Sequence, residues 1–457
     1  MRSAKRLRRV LPQLSFEMRA PMRLVLKLIL LPTLVWLGFL VSCTHRTSPG
    51  AIPSWAPRSA ARYLDQREDA WAGWIGSAQD RDTFCVACHT SLPYAISRSS
   101  LRLALQERRR SEGEQILLSN VARRVQLWNK VRPYYTDRDY GPRKAAESRG
   151  TEAVLNALIL ASADAETGRL SDVTGTAFSY LWDSQLTEGN NRGAWAWLDF
   201  GNEPWEASDS QYYGAALAAI AVGVAPEGYR SRSEIQHNLE MLRDYFNRQY
   251  PGQPTANRVV LLWASTKLPH LIEPERRKSI IDQLRRGQQS DGGWELSRLV
   301  CPTGWSFHAI RCVQFRPDWT RQDTESDGYA TGLITFTLEA AGLSTQDPTV
   351  ARGIAWLARN QKADGSWSSL SLNAERRPSS NVGHFMRDAA TAFAVLALTE
   401  SDTLSEPNPE SSNIEEDERI EGFPNLPTHD RNSCAVGLSI KVKPARLPSS
   451  PLVTSSF

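Results

Sequence analysis

The segment Gln361-Lys362-Ala363-Asp364-Gly365-Ser366-Trp367, preceded by Arg352-Gly353 and Trp356, decides the fold. Glycine allows a tight turn after a helix, a glutamine amide can bond backbone groups left free at the helix end, and tryptophan can pack over the turn. A close match stands at Gln289-Ser290-Asp291-Gly292-Gly293-Trp294, and a degenerate one joins Gln185 to Gly193-Ala194-Trp195. Around these turns the chain shows almost no strand alternation, and helical-period segments come in pairs. Amphipathic, charged segments cover residues 114–130, 172–186, 232–248, 275–289 and 348–361. Each is followed by a segment rich in small residues: 147–163, 208–223, 257–268, 326–342 and 387–399. Small residues let helices approach closely and leave little polar face for water, so the second set is predicted to lie inside the first. Segments 60–75 and 94–109 supply a sixth pair. The predicted fold class is all-α.

These turns resemble the QW repeats of squalene-hopene cyclases and the equivalent repeats of prenyltransferase β subunits. The resemblance implies an α/α toroid of five to six helix pairs over residues 114–400, preceded by a short helical segment at 58–113. It does not carry over an activity, because one fold hosts many chemistries. The Asp-rich DxDD acid with which such cyclases protonate an alkene is absent; Ser208-Asp209-Ser210 and Glu325-Ser326-Asp327 come nearest. The prenyltransferase zinc site is similarly incomplete. At Asp327-Gly328-Tyr329 the cysteine position is tyrosine, although His384 lies near the expected histidine.

Glu147, Asp209, Asp327 and Asp388 stand at the expected starts of the inner helices, where a carboxylate caps free N–H groups and meets the helix dipole. In the toroid those starts converge on one mouth. Trp195, Trp197, Asp199, Glu203, Trp205, Glu206, Asp209, Tyr212 and Tyr213 cluster in one loop and helix start there. Rings with paired carboxylates can pack a loop, or can bind a sugar or polycyclic ring and do acid/base chemistry. The candidate catalytic residues are therefore Glu206, Asp209, Asp327 and Asp388.

Cys85-Val86-Ala87-Cys88-His89 resembles the attachment site of c-type cytochromes, in which two thiols join the haem vinyls and the histidine is the proximal iron ligand. The resemblance implies haem c held by Cys85, Cys88 and His89. A CxxC disulfide or half a zinc site would use the same cysteines, but no second pair stands at zinc-like spacing. No Met occurs between Met22 and Met241. The distal position is thus empty, filled by water, or supplied by the toroid, with His384 or His308 as leading candidates. Met386, His237 and His270 are further ones.

The N-terminus is basic (Arg2, Lys5, Arg6, Arg8, Arg9) and then apolar from Leu24 to Val41 apart from Lys27, as in an export signal or membrane anchor. It ends Leu40-Val41-Ser42-Cys43, which resembles a lipobox with Cys43 as the lipidated residue; an uncleaved anchor is the alternative. Both place the remaining chain outside the cytoplasm, on the periplasmic or cell-surface side. Residues 44–57 read as a tether and 401–457 as a disordered tail holding Cys434. In an oxidising compartment Cys301 and Cys312 are expected to pair. Lys and Arg total 54 against 50 Asp and Glu, and much of the excess lies in the leader, so nucleic acid is not an implied partner. The expected function is a redox or electron-transfer role with a hydrophobic or cyclic ligand and a redox partner. The alternatives are a binding scaffold without catalysis, and a cofactor-free cyclase or carbohydrate-active enzyme using the acidic mouth.

Overall fold

The computed structural model describes residues 54–301 and 307–401, the side chains of 307–309 excepted. Among the described residues the chain is helical almost throughout. The strands are β1 (Ala78–Gln79) and β2 (Thr83–Phe84), antiparallel, with Ala78 opposite Phe84. Six consecutive pairs of long helices follow one another: α1 (Pro57–Ala72) and α2 (Ser91–Ala104), α3 (Glu112–Gln126) and α4 (Pro142–Ala165), α5 (Asp172–Asp183) and α6 (Ser210–Val224), α7 (Gln236–Gln249) and α8 (Thr255–Lys267), α9 (Pro274–Gly287) and α10 (Gly328–Ala340), α11 (Pro348–Asn360) and α12 (Asn381–Glu400). Shorter helices at Asp137–Tyr140, Ser297–Val300 and Phe307–Gln314 lie in the connections.

Local chemistry starts these helices. Pro57, Pro142, Pro274 and Pro348 stand in the first turns of α1, α4, α9 and α11, where proline's fixed φ suits the helix and its missing N–H costs nothing. Ser111 and Glu114 form a reciprocal capping box on α3, while Ser171 and Ser380 cap α5 and α12. Glu147 and Asp388 do not begin their helices as expected. Pro142 and the Ser380 cap start α4 and α12 earlier, which leaves both carboxylates inside helical turns.

The two sets of helices differ in how they are buried. The second member of each pair is the more fully buried, and in α10 every residue from Gly328 to Glu339 is buried. The first member buries one stripe, such as Leu239, Met241, Leu242, Tyr245 and Phe246 in α7, or Ile280 and Leu284 alone in α9. The even-numbered helices pack in succession, α2 on α4, α4 on α6, α6 on α8, α8 on α10 and α10 on α12, and α12 packs back on α2.

The repeated turns are built alike. Gln185, Gln288 and Gln361 donate their side-chain amides to the carbonyls of Gly193, Gly292 and Gly365 at 2.9, 2.9 and 3.1 Å. The same amides reach the next odd-numbered helix or its entry, at the carbonyls of Asn238, Thr349 and Ala56. Those glycines have φ of +97°, +100° and +91°. A Cβ on each would strike that helix within 2.0 Å of Met241 O, 2.7 Å of Arg352 O and 2.3 Å of Ser59 O. The last turn therefore grips α1 as the earlier ones grip α7 and α11. In the second turn the clamping glutamine is Gln288, four residues before the glycine as Gln361 is, and not the Gln289 of the sequence match. Trp195, Trp294 and Trp367 are fully buried, and their indole N–H groups donate to the carbonyls of Leu181, Leu284 and Leu357.

Cys301 and Cys312 are joined in a disulfide, as expected of their spacing. Residues 1–53, with Cys43, and 402–457, with Cys434, lie outside the described residues. No helix among the described residues is long and apolar enough to cross a membrane.

Candidate functional site

Cys85, Cys88 and His89 lie on the connection between β2 and the start of α2, and the backbone there is pinned from several sides. The Trp71 indole donates to the Cys85 carbonyl at 2.7 Å, and the Cys85 N–H donates to Ser77 O at 2.8 Å. Just before the motif, the Asn120 side chain of α3 makes both hydrogen bonds to the Phe84 backbone, at 2.9 and 3.0 Å. Both cysteines are free thiols. Burial pushes both thiols well above the ordinary cysteine range, so they are neutral.

His89 is enclosed by rings from separate elements. Phe385 of α12 stacks on it at 3.5 Å between centroids, Trp71 of α1 meets it edge-on at 5.0 Å, and Trp205 stands 6.2 Å away. His89, Cys85, Phe385 and Glu206 nevertheless keep some accessible surface. Burial, with Arg67 nearby, lowers the His89 pKa to about 3, and the ring is neutral. Its Nδ1 lies 2.9 Å from Thr90 Oγ1, whose hydroxyl donates to Asp388 Oδ2 at 2.9 Å. With the Thr90 proton directed at Asp388, its oxygen accepts from Nδ1–H. The Nε2 lone pair is then left over, and Nε2 has no hydrogen-bond partner among the described residues. Asp388 also accepts from Tyr63 Oη and Arg67 Nε, each at 2.9 Å. Burial raises its pKa while Arg67 pulls it down.

The four candidate acids are not brought together. Asp388 is engaged as just described, on α12. Asp327 caps α10, accepting from the N–H groups of Tyr329, Ala330 and Leu296 and from Ser369 Oγ; burial pushes its pKa up to about 7 against those four donors. Asp209 is next to α6 without capping it, and burial and the neighbouring Asp199 raise it. Of the four, Glu206 is the one in the electrostatic field of Cys85 and Cys88. Burial raises it to about 7 with Lys144 opposing, and its carboxyl accepts no hydrogen bond among the described residues.

The aromatic cluster divides. Trp195 and Tyr212 pack toward the odd-numbered helices, Tyr212 against Tyr245 and Phe246 of α7. Trp205 turns inward, donating to Tyr329 Oη at 3.0 Å. Glu203 is raised to about 8 by burial and by Asp209 and Asp199, and its backbone is clamped in both directions by the Asn373 side chain.

His384 lies in the field of Arg67, Arg387 and Asp364, with its Nδ1 buried and unpartnered; it is the neighbouring Phe385 that covers the His89 ring. The side chain of His308 lies outside the described residues. Thr90, Arg67, Tyr63 and Phe385 were not legible as site residues. Only the position of Thr90 beside the motif offered a signal.

No family model matches the chain, and no curated protein matches it significantly.

The residues fit a covalently attached haem. Two unpaired thiols precede a histidine whose Nδ1 is engaged and whose Nε2 lone pair is free, which is what iron ligation by imidazole requires. Among the described residues no group of three or more His, Cys, Asp or Glu is placed to hold a bare metal ion.

Proposed function

We propose that this protein is an exported c-haem protein, anchored to a membrane through Cys43 or the N-terminal apolar segment. In this reading the haem is carried on an α/α toroid similar to those of squalene cyclases and prenyltransferases. The toroid is supported by the return of α12 onto α2 and by the Gln361 and Gly365 turn that grips α1 as its counterparts grip α7 and α11. The reading is carried by one observation: His89 is held through Nδ1 with Nε2 free, close in the chain to two unpaired thiols. Cys85 and Cys88 would hold the haem by thioether bonds and His89 would be the proximal ligand. When bound, the haem supplies one-electron chemistry at its iron.

The chain's own residues exclude bulk water with Phe385, Trp71 and Trp205, and offer Glu206 as a carboxyl poised near neutrality. In this reading the protein takes a hydrophobic or cyclic ligand and exchanges electrons with a redox partner. A second reading, acid/base chemistry without a cofactor, is favoured by Glu203, which burial and two neighbouring carboxylates keep protonated at neutral pH.

The test is an absorbance spectrum and pyridine haemochrome assay on full-length protein made in a host with c-type haem maturation. Haem resistant to acid-acetone extraction is expected, and Cys88→Ala should abolish or greatly reduce stable attachment. A colourless wild-type protein refutes the reading and leaves the acid/base one.

A further inference from the structure

We infer that Thr90 and Asp388 are positioning residues that act through His89, fixing its Nδ1–H tautomer and strengthening Nε2 as an electron-pair donor. The inference deepens the haem reading and rests on it for its redox consequence. It stands on geometry: Nδ1 to Thr90 Oγ1 at 2.9 Å, part-buried, then Thr90 Oγ1 to Asp388 Oδ2 at 2.9 Å, buried. The carboxylate is held from its other oxygen by Tyr63 and Arg67, each at 2.9 Å, so it cannot turn away from Thr90 without losing two donors. Stacking of Phe385 on the imidazole at 3.5 Å restricts rotation of the ring itself.

A carboxylate reached through one hydroxyl draws the Nδ1 proton outward and raises electron density on the ring. That makes Nε2 a better donor to iron and favours the more oxidised state. Asp388, which by sequence is a candidate acid at the mouth, thereby becomes a residue that tunes the site without touching the reacting atoms. It also ties α12 to α1 and to the start of α2, so a purely structural role has to be told apart from a tuning one.

Two measurements on the full-length chain do this. In haem-loaded protein, Thr90→Val should raise the reduction potential by about tenfold in the one-electron equilibrium constant, about 59 mV, in line with the loss of a partner outside the ligand shell. Thr90→Ser, which keeps the hydroxyl, should restore the wild-type potential; a merely structural role would move neither value. An unchanged potential in Thr90→Val overturns the inference. In haem-free Cys85→Ala/Cys88→Ala protein labelled with ¹⁵N-histidine, the imidazole nitrogen shifts should show His89 as the Nδ1–H tautomer, and Thr90→Val should lose that preference. An Nε2–H ring in the unsubstituted Thr90 background overturns the inference whether or not haem ever attaches. Failure of the wild type to take up haem refutes the proposed function instead and leaves the tautomer to be decided by the labelled protein.

Discussion

Replacing Gly365 by alanine tests whether the end of the repeat array closes on its beginning. Gly365 has φ +91°, and an added Cβ would lie 2.3 Å from both Ser59 C and Ser59 O and 2.6 Å from Ala60 N, backbone atoms of α1 that cannot swing aside. Gly342 is the matched control: its φ is +86° and nothing lies within 4 Å of the corresponding Cβ. Both substitutions incur backbone strain of about 1–2 kcal/mol for a left-handed alanine. Only Gly365→Ala must also push α1 outward, which adds about 1–3 kcal/mol of overpacking. The same movement strains the two hydrogen bonds between Gln361 and Ala56, at 2.6 and 3.1 Å, worth roughly 0.5–1.5 kcal/mol each. The sum is about 3–8 kcal/mol for Gly365→Ala against about 1–2 for Gly342→Ala, a large part of the 5–15 kcal/mol typical of a folded domain. Urea unfolding followed by far-UV circular dichroism reads the difference as a shift in midpoint at constant slope. Equal losses in the two variants would refute the reasoning, because the backbone contact with α1 would then carry nothing.

Trp367→Ala, which empties a fully buried site and removes the bond to Leu357 O, should cost about 3–5 kcal/mol, whereas Trp319→Ala, 64% exposed, should stay within about 0.5 kcal/mol in the same denaturation assay. Glu339 has both carboxyl oxygens buried without partners, and burial, with Glu400 nearby, raises its pKa to about 9. Its folded pKa thus exceeds the unfolded one, so its contribution is fully present below the ordinary carboxylate range and is lost as pH rises toward about 9. Thermal melts across that window should show stability declining, and Glu339→Gln should flatten the decline; an unchanged slope would mean that Glu339 does not carry it.

The sequence by itself determined the helical pairs and which member of each lies inside, because small residues and amphipathic stripes have opposite needs for water. It also marked the turns, through a glutamine at the helix end, a glycine that allows the tight turn and a tryptophan that packs over it, and it named Cys85, Cys88 and His89 and paired Cys301 with Cys312. The exact glutamine was misread at Gln289 because two glutamines are adjacent and only the contact with Thr349 separates them. What only the tertiary structure decided is which residues serve the histidine. Asp388 lies 298 positions from Thr90, and Tyr63 and Arg67 reach it from the first helix, so no pattern of spacing connects them. The four acids look equivalent along the chain, yet one caps a helix with four donors, one is neutralised by an arginine and one lies in the electrostatic field of the thiols. Burial and neighbours set those differences, and for Asp388 they arise only when α12 returns to pack on α1 and α2.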